Sequence, residues 1–129
     1  MRKILILTFA LLTLTACQES MEERAARDAK ETTVKKCPIP LDAEGRVVLE
    51  SIDFDIPTRT WCQNFLLLVD SGAVIEDNQI RGLLIDELRN TPSYKPYMES
   101  RFNFKYVYCN MRSPGDTVIN LTLTPRDYE

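Results

Sequence analysis

Histidine is missing altogether from this chain of 129 residues. That absence excludes Ser-His-Asp triads, His-ligated zinc or haem, and any imidazole general base. No Cys-x-x-Cys pair occurs either, which argues against a thioredoxin-like redox role. Three scattered thiols without histidine make a poor metal site, so neither a metal nor another cofactor is expected. An excess of positive charge is also lacking. The chain carries 16 Lys and Arg against 19 Asp and Glu, with a pI near 5.1, which is the wrong balance for a nucleic-acid face. Ser71 and Ser113 fall in turn-forming stretches with no general base that the sequence identifies, so nucleophilic catalysis has no support. The chain reads as a non-enzymatic protein.

What is present begins with an address. Met1-Arg2-Lys3 supplies two positive charges, and Ile4 to Leu14 is an apolar run broken only by threonines. The run is too short for a stable transmembrane helix and has the layout of a signal-peptide core. Arg2 and Lys3 are the only charged residues before Cys17, so the remainder holds 14 bases against 19 acids. Leu14-Thr15-Ala16-Cys17 resembles the lipobox of bacterial lipoproteins: a branched apolar residue, two small residues, then a cysteine. The resemblance implies a signal peptide over residues 1–16, cleavage before Cys17, and acylation of Cys17. Two or three acyl chains would then hold the protein on a membrane, where one chain alone is marginal. It also implies the cell envelope as location. By analogy with enterobacterial lipoprotein sorting, Gln18 rather than Asp after the lipid-bearing cysteine implies the outer membrane, on its periplasmic face, with surface exposure as the alternative.

Residues 17–36 read as the lipidated cysteine followed by a charged tether, flexible or helical. From Gln18 to Lys36 only Met21 and Val34 are large and apolar, too little to order the segment by burial. Charges spaced i,i+3 and i,i+4, such as Glu23 with Arg27, suit a solvated helix.

Residues 37–129 read as a single α+β domain. Arg46 to Phe54 and Thr60 to Val69 carry strand signals around a turn at Asp55-Ile56-Pro57-Thr58, and Asp70-Ser71-Gly72 ends the second strand. Ile80, Leu83, Leu84 and Leu88 then recur with helical spacing, closed by Asn90-Thr91-Pro92. Gly82 inside this helix costs about 1 kcal/mol relative to alanine, which suggests close packing on the sheet. Phe102, Phe104, Tyr106 and Tyr108 alternate as a third strand. Ser113-Pro114-Gly115-Asp116 reads as a turn, and Ile119, Leu121 and Leu123 alternate as a fourth strand. The order is ββαββ: a two-layer domain with an antiparallel four-stranded sheet on one main helix.

With Cys17 acylated, Cys37, Cys62 and Cys109 remain. If the strands run up, down and, after the helix, down again, Cys62 and Cys109 are separated by roughly 25 Å at about 3.3 Å per residue. Cys37 and the end of the third strand then share the bottom of the sheet. The expected bridge is Cys37 with Cys109, and Cys62 is the expected free thiol. The alternative keeps all three reduced and packed as small hydrophobes.

Tyr94, Tyr97, Phe102, Phe104, Tyr106 and Tyr108 place six of the 11 aromatic residues within 15 positions. Alternate aromatics on a strand serve first as the stripe that faces the helix. Tyr94, Tyr97, Tyr106 and Tyr108 are also the candidate binding face, because phenols add hydrogen bonds to apolar area. The functional expectation is a binding module that holds membrane lipid through acylated Cys17 and engages an envelope protein, with no nucleic-acid role. The alternatives are an inhibitor of an envelope-directed hydrolase, inserting a loop such as Ser113 to Asp116 or the Tyr94 to Met98 segment, and a domain that binds a glycan or small molecule.

Overall fold

A computed structural model describes residues 19–70 and 74–129. The expected signal peptide, Cys17 and the turn residues Ser71 and Gly72 lie outside the described residues. The elements run α1 (Met21–Lys36), β1 (Ile39–Pro40), β2 (Val47–Asp55), β3 (Thr60–Leu67), α2 (Asp77–Arg89), a 3-10 turn (Pro92–Tyr94), α3 (Lys95–Glu99), β4 (Asn103–Asn110), β5 (Ser113–Leu123) and α4 (Pro125–Tyr128). The fold is α+β, as expected, but the sheet has five strands in the order β1-β2-β3-β4-β5. It is mixed rather than antiparallel. β3 and β4 are parallel, pairing Thr60 with Asn103 through Leu67 with Asn110, because the helical segment between them carries the chain back to the end where β3 began. The extra strand is the two-residue β1, whose Pro40 is tolerated at a sheet edge where no ladder N–H is needed.

The segment read as a tether is a packed helix. Ser20 caps α1 by accepting from the Glu23 N–H (3.1 Å), Glu22 and Glu23 occupy the first turn, and Lys35 and Lys36 the last, each matching the helix dipole. Ala25 and Ala29 are 0% and 1% exposed, so small side chains bring the helix close to β2. Val34, one of only two large apolar residues in the segment, faces solvent instead. Thr33 completes the seam. The Ile52 N–H donates to Thr33 Oγ1 (2.8 Å), and that hydroxyl donates to the Ile52 carbonyl (2.9 Å). A side chain thus stands in for a neighbouring strand where β1, pairing only with Val48 and Leu49, does not reach.

In α2 the buried residues are Leu84 and Leu88, with Ile80 and Ile85 packed beside them. Leu83, expected on the same stripe, is 69% exposed. Gly82 is also exposed, and a methyl group there would touch nothing within 4 Å, so the expected close packing does not occur. Gly82→Ala should therefore stabilise the domain by about 1 kcal/mol, raising the midpoint of thermal unfolding by about 4 °C. An unchanged or lower midpoint in calorimetry would show that glycine is needed there.

The helices cover one face of the sheet. Phe102, Phe104 and Leu123 are 0% exposed, with Ile52, Trp61 and Phe65 beneath the helices on the same face. A register shift between Tyr108 and Cys109 lets the consecutive Val118 and Ile119 both bury. The expected turn at Ser113 to Asp116 is instead the start of β5. The chain reverses at Met111-Arg112, where Asn110 Oδ1 accepts from the Arg112 N–H (3.1 Å). At the C-terminal side the Tyr128 hydroxyl donates to the buried Phe102 carbonyl (2.9 Å), and Asp127 caps α4 by accepting from the Thr124 N–H (2.7 Å).

Candidate functional site

α1 lies over β2 while α2 lies over β5, and the sheet between them carries aromatic side chains. Two adjoining depressions open there and meet at Tyr94. The smaller, about 230 Å³, is floored by Gln63, Phe65, Tyr106 and Tyr108 and walled by Leu88 and Glu87 of α2. The larger, about 490 Å³, runs between Asp28, Thr32 and Lys36 of α1 and the Pro92–Tyr97 segment, over Ile52 and Trp61. Alternation along β3 sends Trp61, Gln63 and Phe65 to this face, and parallel register sets Gln63 beside Tyr106 and Phe65 beside Tyr108.

The aromatic groups hold one another in defined positions. Trp61 stacks on Tyr97 with centroids 5.1 Å apart and meets Tyr94 edge-on at 5.9 Å. Phe65 stacks on Tyr108 at 4.4 Å. The Tyr97 hydroxyl donates to an Asp28 carboxylate oxygen on α1, which ties the two walls together. Burial raises the phenol pKa of Tyr94. Burial likewise raises Tyr106 and pushes Tyr108 up to about 12. These phenols are neutral donors and acceptors at ordinary pH. Trp61 Nε1 is buried with no hydrogen-bond partner among the described residues, a state that costs about 1–3 kcal/mol unless something accepts from it.

All four candidate tyrosines line these depressions: Tyr94 both, Tyr97 the larger, Tyr106 and Tyr108 the smaller. Tyr97 and Tyr106 are almost wholly buried, at 4% and 5% exposed, so they form floor more than surface. Sequence reasoning missed Trp61, Gln63 and Phe65. The signal was available, since a glutamine alternating with two aromatics on one strand is polar at a core position. A third depression, about 790 Å³ and more open, lies between α2, α3 and α4 around Arg89, Lys95 and Met98. Both of its arginines are already engaged, Arg89 donating to the Tyr128 carbonyl (2.9 Å) and Arg101 pairing with Glu129.

The expected Cys37–Cys109 bridge is absent, and Cys37, Cys62 and Cys109 are all free. Cys109 alternates with the helix-facing Tyr108 and so opens toward the other side of the sheet, whereas Cys37 packs beside the helix-covered core. The sheet stands between them. Cys62 and Cys109 share that other face, four positions apart in register, roughly 14 Å and still beyond bridging distance. Burial raises the thiol pKa of Cys37 and of Cys62, where Asp53 adds to the rise and Lys105 opposes it. Among the described residues no three His, Cys, Asp or Glu side chains converge as a metal site would require.

Comparison with known proteins agrees in fold. No curated protein matches the sequence. The pilotin EpsS of the Vibrio vulnificus type 2 secretion system is 11% identical with a TM-score of 0.62, over 84% of this chain and 91% of that one. The type II secretion system pilotin AspS of Vibrio cholerae is 12% identical with a TM-score of 0.59, over 82% and 90%. A Pseudomonas aeruginosa protein described as secreted is 10% identical with a TM-score of 0.66, over 87% and 100%. At such identities the likeness is one of fold. Residues 1–18 match the family described as prokaryotic membrane lipoprotein lipid attachment site. A second match starts at residue 20, thereby taking in α1, and continues to residue 119; the chain belongs to the family described as Domain of unknown function (DUF8479).

Proposed function

We propose that this chain is a non-enzymatic binding module of the cell envelope, held by acyl chains on Cys17 at the periplasmic face of the outer membrane, and that its α1–α2 groove receives a segment of an envelope protein. The observation that carries the reading is the aromatic floor between the two helices. The lipid attachment match supports the anchor, and the fold shared with two secretion-system pilotins supports a role as an accessory to an envelope assembly. The partner segment would set apolar side chains on Tyr94 and Tyr108 and present an acceptor to their phenol groups. The inhibitor alternative has less behind it, because Ser113 to Asp116 is strand and the Tyr94 to Met98 segment is helical with Tyr97 buried.

Photo-crosslinking in cells tests this. A benzophenone side chain at Tyr94 is expected to capture one envelope protein, and the same group at Asn120, on the uncovered face, is expected not to. A peptide copied from the captured segment should bind the isolated domain, and Tyr94→Ala should weaken it about 30-fold, the loss typical of a central aromatic anchor. Equal capture from Asn120 would remove the groove from the function.

A further inference from the structure

We propose that the end of the domain where α1 begins is a lipid-contacting surface, with Ile56 at the tip of the β2–β3 turn seated in the bilayer interface. This rests on the acylation of Cys17 proposed above. Ser20 is the N-cap of α1, three peptide steps from Cys17, and an extended chain covers at most about 3.6 Å per residue. The domain therefore begins within about 11 Å of the lipid-bearing residue. α1 is not a swinging arm from that point, since Ala25, Ala29 and Thr33 fasten it along β2. Anchor and domain orientation are coupled.

The surface nearest the anchor is built rigidly. Arg59 pairs with Glu22 in the first turn of α1 (3.1 Å), its guanidinium donates to the Ser100 carbonyl, and it stacks on Phe102 at 5.1 Å. Asp55 accepts from the Thr58 N–H (3.2 Å), and Asn103 Nδ2 donates to the Thr58 carbonyl (3.3 Å). A turn so braced nonetheless holds out Ile56, 48% exposed. A bilayer interface gives that side chain somewhere to bury. Glu19, Glu22 and Glu23 sit there too, so the contact depends on apolar burial and does not require anionic lipid.

The test uses the full acylated protein in phosphatidylcholine and phosphatidylethanolamine vesicles with brominated acyl chains, which quench tryptophan on contact. Ile56→Trp is expected to lose at least twice as much emission as the unsubstituted protein, whose one tryptophan, Trp61, is buried. Leu41→Trp reports on the opposite end, where Leu41 is 53% exposed beyond β1, and it is expected to match the unsubstituted protein. If the chain floats with the vesicles but Ile56→Trp is quenched no more than Leu41→Trp, the domain stands clear of the lipid and the inference fails. If the chain does not float and its mass shows no acyl group on Cys17, the anchoring reading fails and takes this inference with it.

Discussion

Deleting residues 1–36 is expected to abolish cooperative folding of what remains. α1 covers Ile52, Phe54 and Tyr97, and uncovering three large side chains forfeits about 1.5–3 kcal/mol each. A domain of this size has a net stability of only about 5–15 kcal/mol, and the loss also leaves the Ile52 N–H and carbonyl without Thr33. A point substitution makes the same case without truncation. Ala29→Asp places an unpaired carboxylate at a site 1% exposed, at a cost of about 3–5 kcal/mol. Val34→Asp, on the outer side of the same helix at 75% exposed, should move stability by less than about 0.5 kcal/mol. Urea unfolding followed by near-ultraviolet circular dichroism checks all three. A truncated chain that keeps a sharp transition at the original midpoint would restore the spacer reading.

The same helix matters for function. α1 is one wall of the groove, through Asp28, Thr32 and Lys36, and its N-cap Ser20 lies three residues from the proposed lipid site. A partner that loads the groove would press on the element joined most directly to the membrane. A long tether would separate those two events; a packed α1 does not.

Strand alternation made most of the sheet legible. Phe104, Tyr106 and Tyr108 against Asn103, Lys105 and Val107 mark β4, and Ile119, Leu121 and Leu123 mark β5, on the faces they occupy. Two features were hidden for physical reasons. α1 buries itself with alanines, and a count of large apolar residues misses a helix that packs by coming close. β1 is two residues long and includes a proline, so it carries no pattern at all. Leu83 shows the converse error: helical spacing assigned it to a stripe, but the stripe that fits the sheet runs through Leu84, Ile85 and Leu88. For the groove, the tyrosines were visible as a cluster, whereas its β3 floor was read only as strand. The parallel β3–β4 pairing decides which β3 residues meet those tyrosines, and an antiparallel assignment cannot supply that register.

Alkaline pH is expected to unfold the protein between about pH 10 and 12, with the tyrosines as the cause. All five, Tyr94, Tyr97, Tyr106, Tyr108 and Tyr128, have phenol pKa values raised by burial above the ordinary value near 10. Tyr108 and Tyr128 are each pushed up to about 12. Above pH 10 the unfolded chain releases protons that the folded chain retains, so stability falls as pH rises. The benefit of the protonated phenols is complete below pH 10 and is lost through the folded-state values. At pH 11 Tyr97, Tyr106, Tyr108 and Tyr128 have each withdrawn about 1 kcal/mol, which makes about 4 kcal/mol for the four, and Tyr94 acts in the same direction. That approaches the lower end of a small domain's whole stability, about 5 kcal/mol. Cys37 and Cys62, also raised by burial, act in the same direction. Absorbance at 295 nm should show the phenols ionising together, in step with the loss of near-ultraviolet dichroism. Tyr106→Phe and Tyr108→Phe should each shift that midpoint upward, because each removes one proton from the linkage while keeping the ring. Five independent phenols titrating near pH 10 in a chain that stays folded would mean that water already reaches the groove floor, and that a partner segment has no dry aromatic surface to bind.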